Sequence, residues 1–204
     1  MHESEQDTKN RELASQRLSS EGRKYFKYIE FDANEELVAE VRKHPIGILL
    51  IILTGGFVAL AIILVTGFLL SFDIDGFVGE GSVNSLKPIF VLLSGFLIFG
   101  TLVATLIGLF LYRNNVIYVT NEKIAQVLYT SLFNRKISQL SIGDVQDVTV
   151  TQNGIIAHMF DYGTLVIETA GEQQNYTFTY VPEPYQHSKM IVGSHEKNLK
   201  EFGN

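Results

Sequence analysis

Cysteine is absent from the 204 residues. That removes disulfides, thiolate zinc sites, iron–sulfur clusters and cysteine nucleophiles together, and it fits a reducing compartment. A positive excess is missing as well: the formal net charge is -6, shared evenly among residues 1–44, 45–112 and 113–204. No segment can neutralise a phosphate backbone, so nucleic acid is excluded as a partner. Charge of either sign nearly vanishes between residues 45 and 112, where only Asp73, Asp75, Glu80 and Lys87 carry it. Both flanks are rich in charge, which is the profile of a membrane protein. The length allows one ordinary domain with accessory elements.

Catalytic signatures are lacking too. His158 and Asp161 lie close in sequence and His187 and His195 follow, yet no nucleophile turn, paired metal-ligand motif or phosphate-cradling glycine loop accompanies them. The expectation is a non-enzyme with no cofactor and no metal. Asn175 in "NYT" fits the glycosylation pattern, but it falls in an expected strand on the side read below as cytoplasmic, so it carries no weight.

What is present begins with two apolar runs. "PIGILLIILTGGFVALAIILVTGFLLSF" covers residues 45–72 and "PIFVLLSGFLIFGTLVATLIGLFLY" covers 88–112. Each exceeds the roughly 20 residues a helix needs to cross a hydrocarbon core about 30 Å thick, and lipid leaves a single segment no other way to satisfy its backbone. A signal peptide would be shorter, nearer the start and followed by a cleavage site, whereas a polar stretch precedes the first run here. Arg42, Lys43 and His44 before the first run and Arg113 after the second place both termini in the cytoplasm of a multi-pass protein of the plasma or inner membrane. The loop between them, "DIDGFVGEGSVNSLK", is acidic and faces outside.

Gly100, Ala104 and Gly108 recur every four residues in the second run, and Gly55 with Ala59 matches them in the first. Small residues so spaced let another backbone approach closely, either to pack the hairpin or to form a homo-oligomer seam. Neither run contains Asp, Glu, Lys, Arg or His, which disfavours a transporter.

Residues 1–28 are polar and are expected to be a disordered cytoplasmic tail. Residues 29–44 are expected to hold a short juxtamembrane helix, capped by Asp32 with Glu35 at the capping-box position and Leu37 and Val41 as its apolar pair, and to dock on protein rather than lipid. After Arg113 the pattern alternates with period two. "VIYVT", "KIAQVLYT", "NRKISQL" and "DVQDVTVTQ" read as a meander, and "TLVIETA" and "NYTFTYV" as further strands joined through Gly171. Pro182 and Pro184 end strand pairing, and a helix follows from Tyr185.

The ordered series "YVTNEKIA", "ISQLSIGDVQDVTVTQ", "FDYGTLVIETAG" and "VPEPYQ", preceded by "EELVAEVRKHP" and two spans, resembles the bacterial pleckstrin-homology-like (PH-like) domains of YdbS-like membrane proteins across residues 29–192. Lys123 stands where Arg is expected, Asp161 where Gly is common and Glu183 where Asn is usual. The resemblance implies a PH-like barrel, and the expected fold is an α+β membrane protein: a transmembrane hairpin, then an antiparallel PH-like β-barrel or sandwich over residues 113–204 with a C-terminal helix.

Such a module would bind a protein partner or a lipid headgroup at the inner surface. Arg113, Lys123, Arg135 and Lys136 are the candidate headgroup ligands, with a solvated turn and juxtamembrane anchors as the preferred reading in a net-acidic domain. In "NGIIAHMF", Ile155, Ile156, Met159 and Phe160 form an apolar cluster that either fills the core or meets a partner or membrane. Sheet edges left by an incomplete barrel would accept an extended peptide. The favoured reading is therefore a membrane-anchored scaffold that recruits a protein partner, with an oligomeric envelope component as a further alternative.

Overall fold

The computed structural model describes residues 5–31, 35–71, 82–169 and 175–202. Asp32, the acids Asp73, Asp75 and Glu80, and Gly171 lie outside them. The chain divides into two units, one of Met1–Gly47 with Leu111–Asn204 and one of Ile48–Phe110.

The polar N-terminus is folded, contrary to the disordered tail expected from its composition. Helix α1 spans Glu5–Arg17 and α2 spans Ser20–Phe26. Their sparse apolar residues converge: Ala14, Leu18, Tyr25 and Phe26 are buried, together with Ile29 and Phe31. Arg11 Nη2 donates to the carbonyls of Lys27 at 3.2 Å and Ile29 at 3.0 Å, satisfying groups beyond the end of α2. At the other end of α2, the Glu40 carboxylate accepts from Ser19 N at 2.7 Å and Ser19 Oγ at 2.6 Å.

A second correction concerns residues 29–44. The expected juxtamembrane helix is instead strand β1, Leu37–Arg42, antiparallel to β2, Val116–Thr120. Its register shifts between Leu37 and Ala39, so Leu37 and Val41 enter different apolar clusters. A bulge reverses the alternation of faces in this way. The expectation that this segment docks on protein is met, but as a strand.

Between β1 and β2 run α3, Ile46–Ser71, and α4, Ser82–Arg113. Both are long and apolar enough to cross a membrane. Their large side chains face outward, with Phe57, Leu92 and Phe96 at 72%, 76% and 70% exposure. The hydroxyls of Thr54, Thr66, Ser71, Thr101 and Thr105 return to carbonyls one turn back, which leaves those groups satisfied without water. The helices meet where a Cβ at Gly55 would lie 2.2 Å from Thr105 Oγ1 and one at Gly108 would lie 3.5 Å from Ile51. Helix α4 begins ahead of the expected Pro88, which lies inside it.

Strand β3, Lys123–Tyr129, and β4, Arg135–Ser141, complete a sheet ordered β1-β2-β3-β4. One 3-10 turn, Ile142–Asp144, leads to β5, Val145–Thr151. The one-turn helix α5, Ile155–Met159, precedes β6, Tyr162–Thr169, and β7, Tyr176–Pro182. These strands form a second sheet ordered β5-β6-β7, and α6, Pro184–Phe202, ends the fold. The two antiparallel sheets do not close into the expected barrel, and the fourth strand of the expected meander belongs to the second sheet.

The four-stranded sheet buries both faces unequally. On one, Val116, Tyr118, Ala125 and Val127 pack under α1 and α2. On the other, Val41, Val119, Ile124 and Leu140 share a core with Leu165, Ile167, Phe178 and Val181 of the second sheet and Ile191 of α6. His195 Nδ1 lies 2.7 Å from the Ile142 carbonyl and His187 Nδ1 lies 2.9 Å from that of Pro182. The two histidines therefore tie α6 to the 3-10 turn after β4 and to the end of β7.

Candidate functional site

The shared core covers only part of its face of the first sheet. At its margin, Val41, Ile117, Gln126 and Ser138 form one row across all four strands, since Val41 pairs with Ile117, Ile117 with Gln126 and Gln126 with Ser138. Leu128 and Lys136 make the next pair. These residues floor a cavity of about 580 Å³ whose wall is β7 from Asn175 to Thr179, with Val181 beyond. The volume is in the range of binding clefts, roughly 300–1,000 Å³.

β7 is an edge strand. Its pairing shifts register between Gly163 and Leu165, and near the shift Tyr180 takes a positive φ of 59°. The His44 amide donates to the Tyr180 carbonyl at 2.6 Å. That bond fastens the strand at one end of the cavity, while the side chains of Thr177 and Thr179 stay exposed. An edge so placed can add a further extended segment.

Arg42, Lys43 and Lys136 supply the charge of the cavity, and no carboxylate lines it among the described residues. Lys43 Nζ lies 5.2 Å from the centroid of the Tyr112 ring, and burial pulls its pKa below the ordinary lysine value. The polar amides and hydroxyls of Asn115, Gln126, Ser138 and Asn175 complete a lining of mixed character. It can hold a chain with both apolar and anionic groups.

The four basic residues singled out from sequence are not gathered into one pocket. Lys136 lines the cavity. Arg135 stacks its guanidinium 4.3 Å above the Tyr28 ring. Arg113 is exposed, and its carbonyl accepts from Arg42 Nη2 at 3.3 Å. Lys123 stands at the far end of the β3–β4 ladder, roughly 20 Å from Arg135 at about 3.4 Å per residue. Its Nζ is 3.0 Å from the carboxylate of the buried Glu35 and donates to the Glu30 carbonyl at 3.0 Å. Lys123 is thus part of an ion pair that joins the N-terminal segment to the sheet.

The apolar cluster also resolves differently from a core. Only Ala157 of α5 is buried, while Ile155, Ile156, Met159 and Phe160 are 86%, 54%, 67% and 46% exposed. Asp161 accepts from Gln152 Nε2 at 3.0 Å. Of the small residues, Gly55 and Gly108 face the opposing helix, whereas a Cβ at Gly100 would meet nothing within 4 Å and Ala104 is exposed. Ala59 is half-buried. No cluster of metal-ligating side chains occurs among the described residues.

Arg42 and Lys43 entered the sequence reading only as orientation signals, and Gln126, Ser138, Thr177 and Thr179 only as members of expected strands. Their common cavity depends on which face the second sheet leaves bare, a tertiary property without a local signal. A family model described as Bacterial PH domain matches residues 46–188, more than half of the chain. No curated protein and no solved structure matches it.

Proposed function

We propose, for a chain that belongs to the bacterial PH domain family, the role of a membrane-held module that recruits a protein partner by seating an extended, acidic segment along β7. PH-like domains are in general non-catalytic binding modules, and the cavity suits binding rather than reaction. The observation that carries the proposal is the cavity itself, in which an edge strand, a floor of mixed apolar and polar character and, among the described residues, charges of basic sign alone face one another. Backbone pairing supplies affinity in this mode, and side-chain pockets with the basic groups select the sequence. The apolar helices α3 and α4 hold the module at the inner membrane surface, with Arg42, Lys43 and Arg113 on the cytoplasmic side.

A photo-crosslinking residue at Thr177 or Thr179, in the full chain in native membranes, tests this. Polypeptide adducts at both positions, exceeding those from Glu168 on the exposed side of β6, are the expected result. Adducts with lipid alone would transfer the cavity to headgroup binding, which its basic residues also suit. Equal labelling at all three positions would remove the cavity as a site.

A further inference from the structure

Two exposed apolar tips lie at the same end of the folded unit. The first sheet defines that end, because β1 finishes at Arg42 opposite Val116, the first residue of β2. The chain leaves for α3 just after Arg42 and returns from α4 just before Val116. Val116 also pairs with Val127, and the β3–β4 ladder continues past it to Tyr129 and Arg135. The turn between them therefore projects beyond the row to which both long helices are strung. At its crown Leu132 is 40% exposed and Phe133 99%.

The second sheet ends at the same level. The His44 ring stacks on Tyr162 at 5.4 Å and the His44 amide bonds Tyr180. Tyr162 pairs with Pro182 at the terminus of β6 and β7, and Thr151 of β5 pairs with Thr164 beside it. Helix α5 bridges β5 to β6 there, carrying Ile155, Ile156, Met159 and Phe160 outward around the buried Ala157. Among the described residues, Arg42, Lys43, Arg113, Arg135 and Lys136 share this end with Asp161 and Glu183, a positive balance.

Large apolar side chains held outward on two separate connections, with basic groups behind them, match a surface that dips into a bilayer interface. From this geometry we propose that the β3–β4 turn and α5 are two lipid-embedded feet on which the domain stands. The occupant is the headgroup and upper acyl layer, because the chain leaves this end for α3 at Ile46 and returns to it from α4 at Arg113, so a bilayer crossed by those helices begins within a few residues of it. The proposal rests on the reading that those helices cross a bilayer.

The chain has no cysteine, so single labelled cysteines report without background. In the full chain reconstituted into vesicles containing anionic lipid, an environment-sensitive fluorophore is placed at Phe133→Cys, Ile156→Cys, Phe57→Cys in α3 and Asp144→Cys at the opposite end. The expected result is strong quenching at Phe133 and Ile156 by lipids spin-labelled near the headgroup, with shielding from aqueous iodide several-fold greater than at Asp144. Phe57 should be quenched by spin labels deep in the acyl chains. Iodide access at the tips equal to that at Asp144, with Phe57 still lipid-quenched, would overturn the feet and leave the spans standing. Tips shielded from iodide yet untouched by lipid labels would mean a protein cover and overturn the proposal equally. Loss of lipid quenching at Phe57 would remove the spans and the feet with them.

Discussion

His44 joins a sheet to the first long helix with three different groups. Its Nδ1 accepts from the Ile46 amide at 3.1 Å, its carbonyl accepts from the Tyr112 hydroxyl at 2.7 Å and its ring stacks on Tyr162. A nitrogen that accepts must be unprotonated, so this helix cap requires the neutral ring. Burial lowers the His44 pKa, against a smaller opposing pull from Asp161. The unfolded chain therefore holds more protons than the folded one between the two values, and stability present above the ordinary histidine pKa of about 6.5 is lost as pH falls toward the folded value. The thermal midpoint of the full chain in detergent should drop between about pH 7 and pH 5, and His44→Asn, which keeps a capping acceptor, should drop less. An unchanged acid response in that variant would place the sensitivity elsewhere. None of this was legible in "RKHP", where the histidine looked like one more flanking polar residue. Lys123 misled in the opposite direction, because its partner Glu35 lies far away in sequence.

Single elements show what local pattern can and cannot carry. The two long apolar helices and the six strands β2 to β7 were legible, since charge depletion and period-two alternation are written along the chain itself. β1 was not: Leu37 and Val41 have a spacing that a helix and a strand share, and the bulge opposite β2 that sends them to different faces has no local signal. In the hairpin, the small residues divide by face. Gly55→Leu forces a side chain into Thr105 and should weaken hairpin packing, seen as lost disulfide trapping between cysteines placed at Ile51 and Gly108. Gly100→Leu meets open space within the chain and should leave that trapping intact. A variant at Gly100 that abolishes oligomers in detergent would assign the open stripe to self-association.

For the whole molecule, the N-terminal helices are part of the folded core although the family match begins at Ile46. Their apolar residues were too sparse to announce a buried face, and the sheet that buries them forms largely from residues beyond 115. Phe26 is 2% exposed, against Phe31 at 5.2 Å and Tyr118 at 5.7 Å. Phe26→Ala should destabilise the domain by about 3–5 kcal/mol in chemical denaturation, the range for emptying a buried aromatic site. A solvated tail would lose almost nothing. The barrel was over-read because strand number and alternation do not state where hydrogen bonding stops, and here it stops at β1, β4, β5 and β7.

The ladder between β1 and β2 also constrains how the cell can make this protein. Its two strands are neighbours in space but are separated by both apolar helices, so the ribosome releases β1 well before its mate exists. Any membrane crossing by α3 and α4 would have to return the chain to the compartment it left before the sheet could zip, which would permit only an even number of crossings. A nascent chain stalled before residue 116 would carry β1 as an unmatched strand, a natural target for a chaperone or protease.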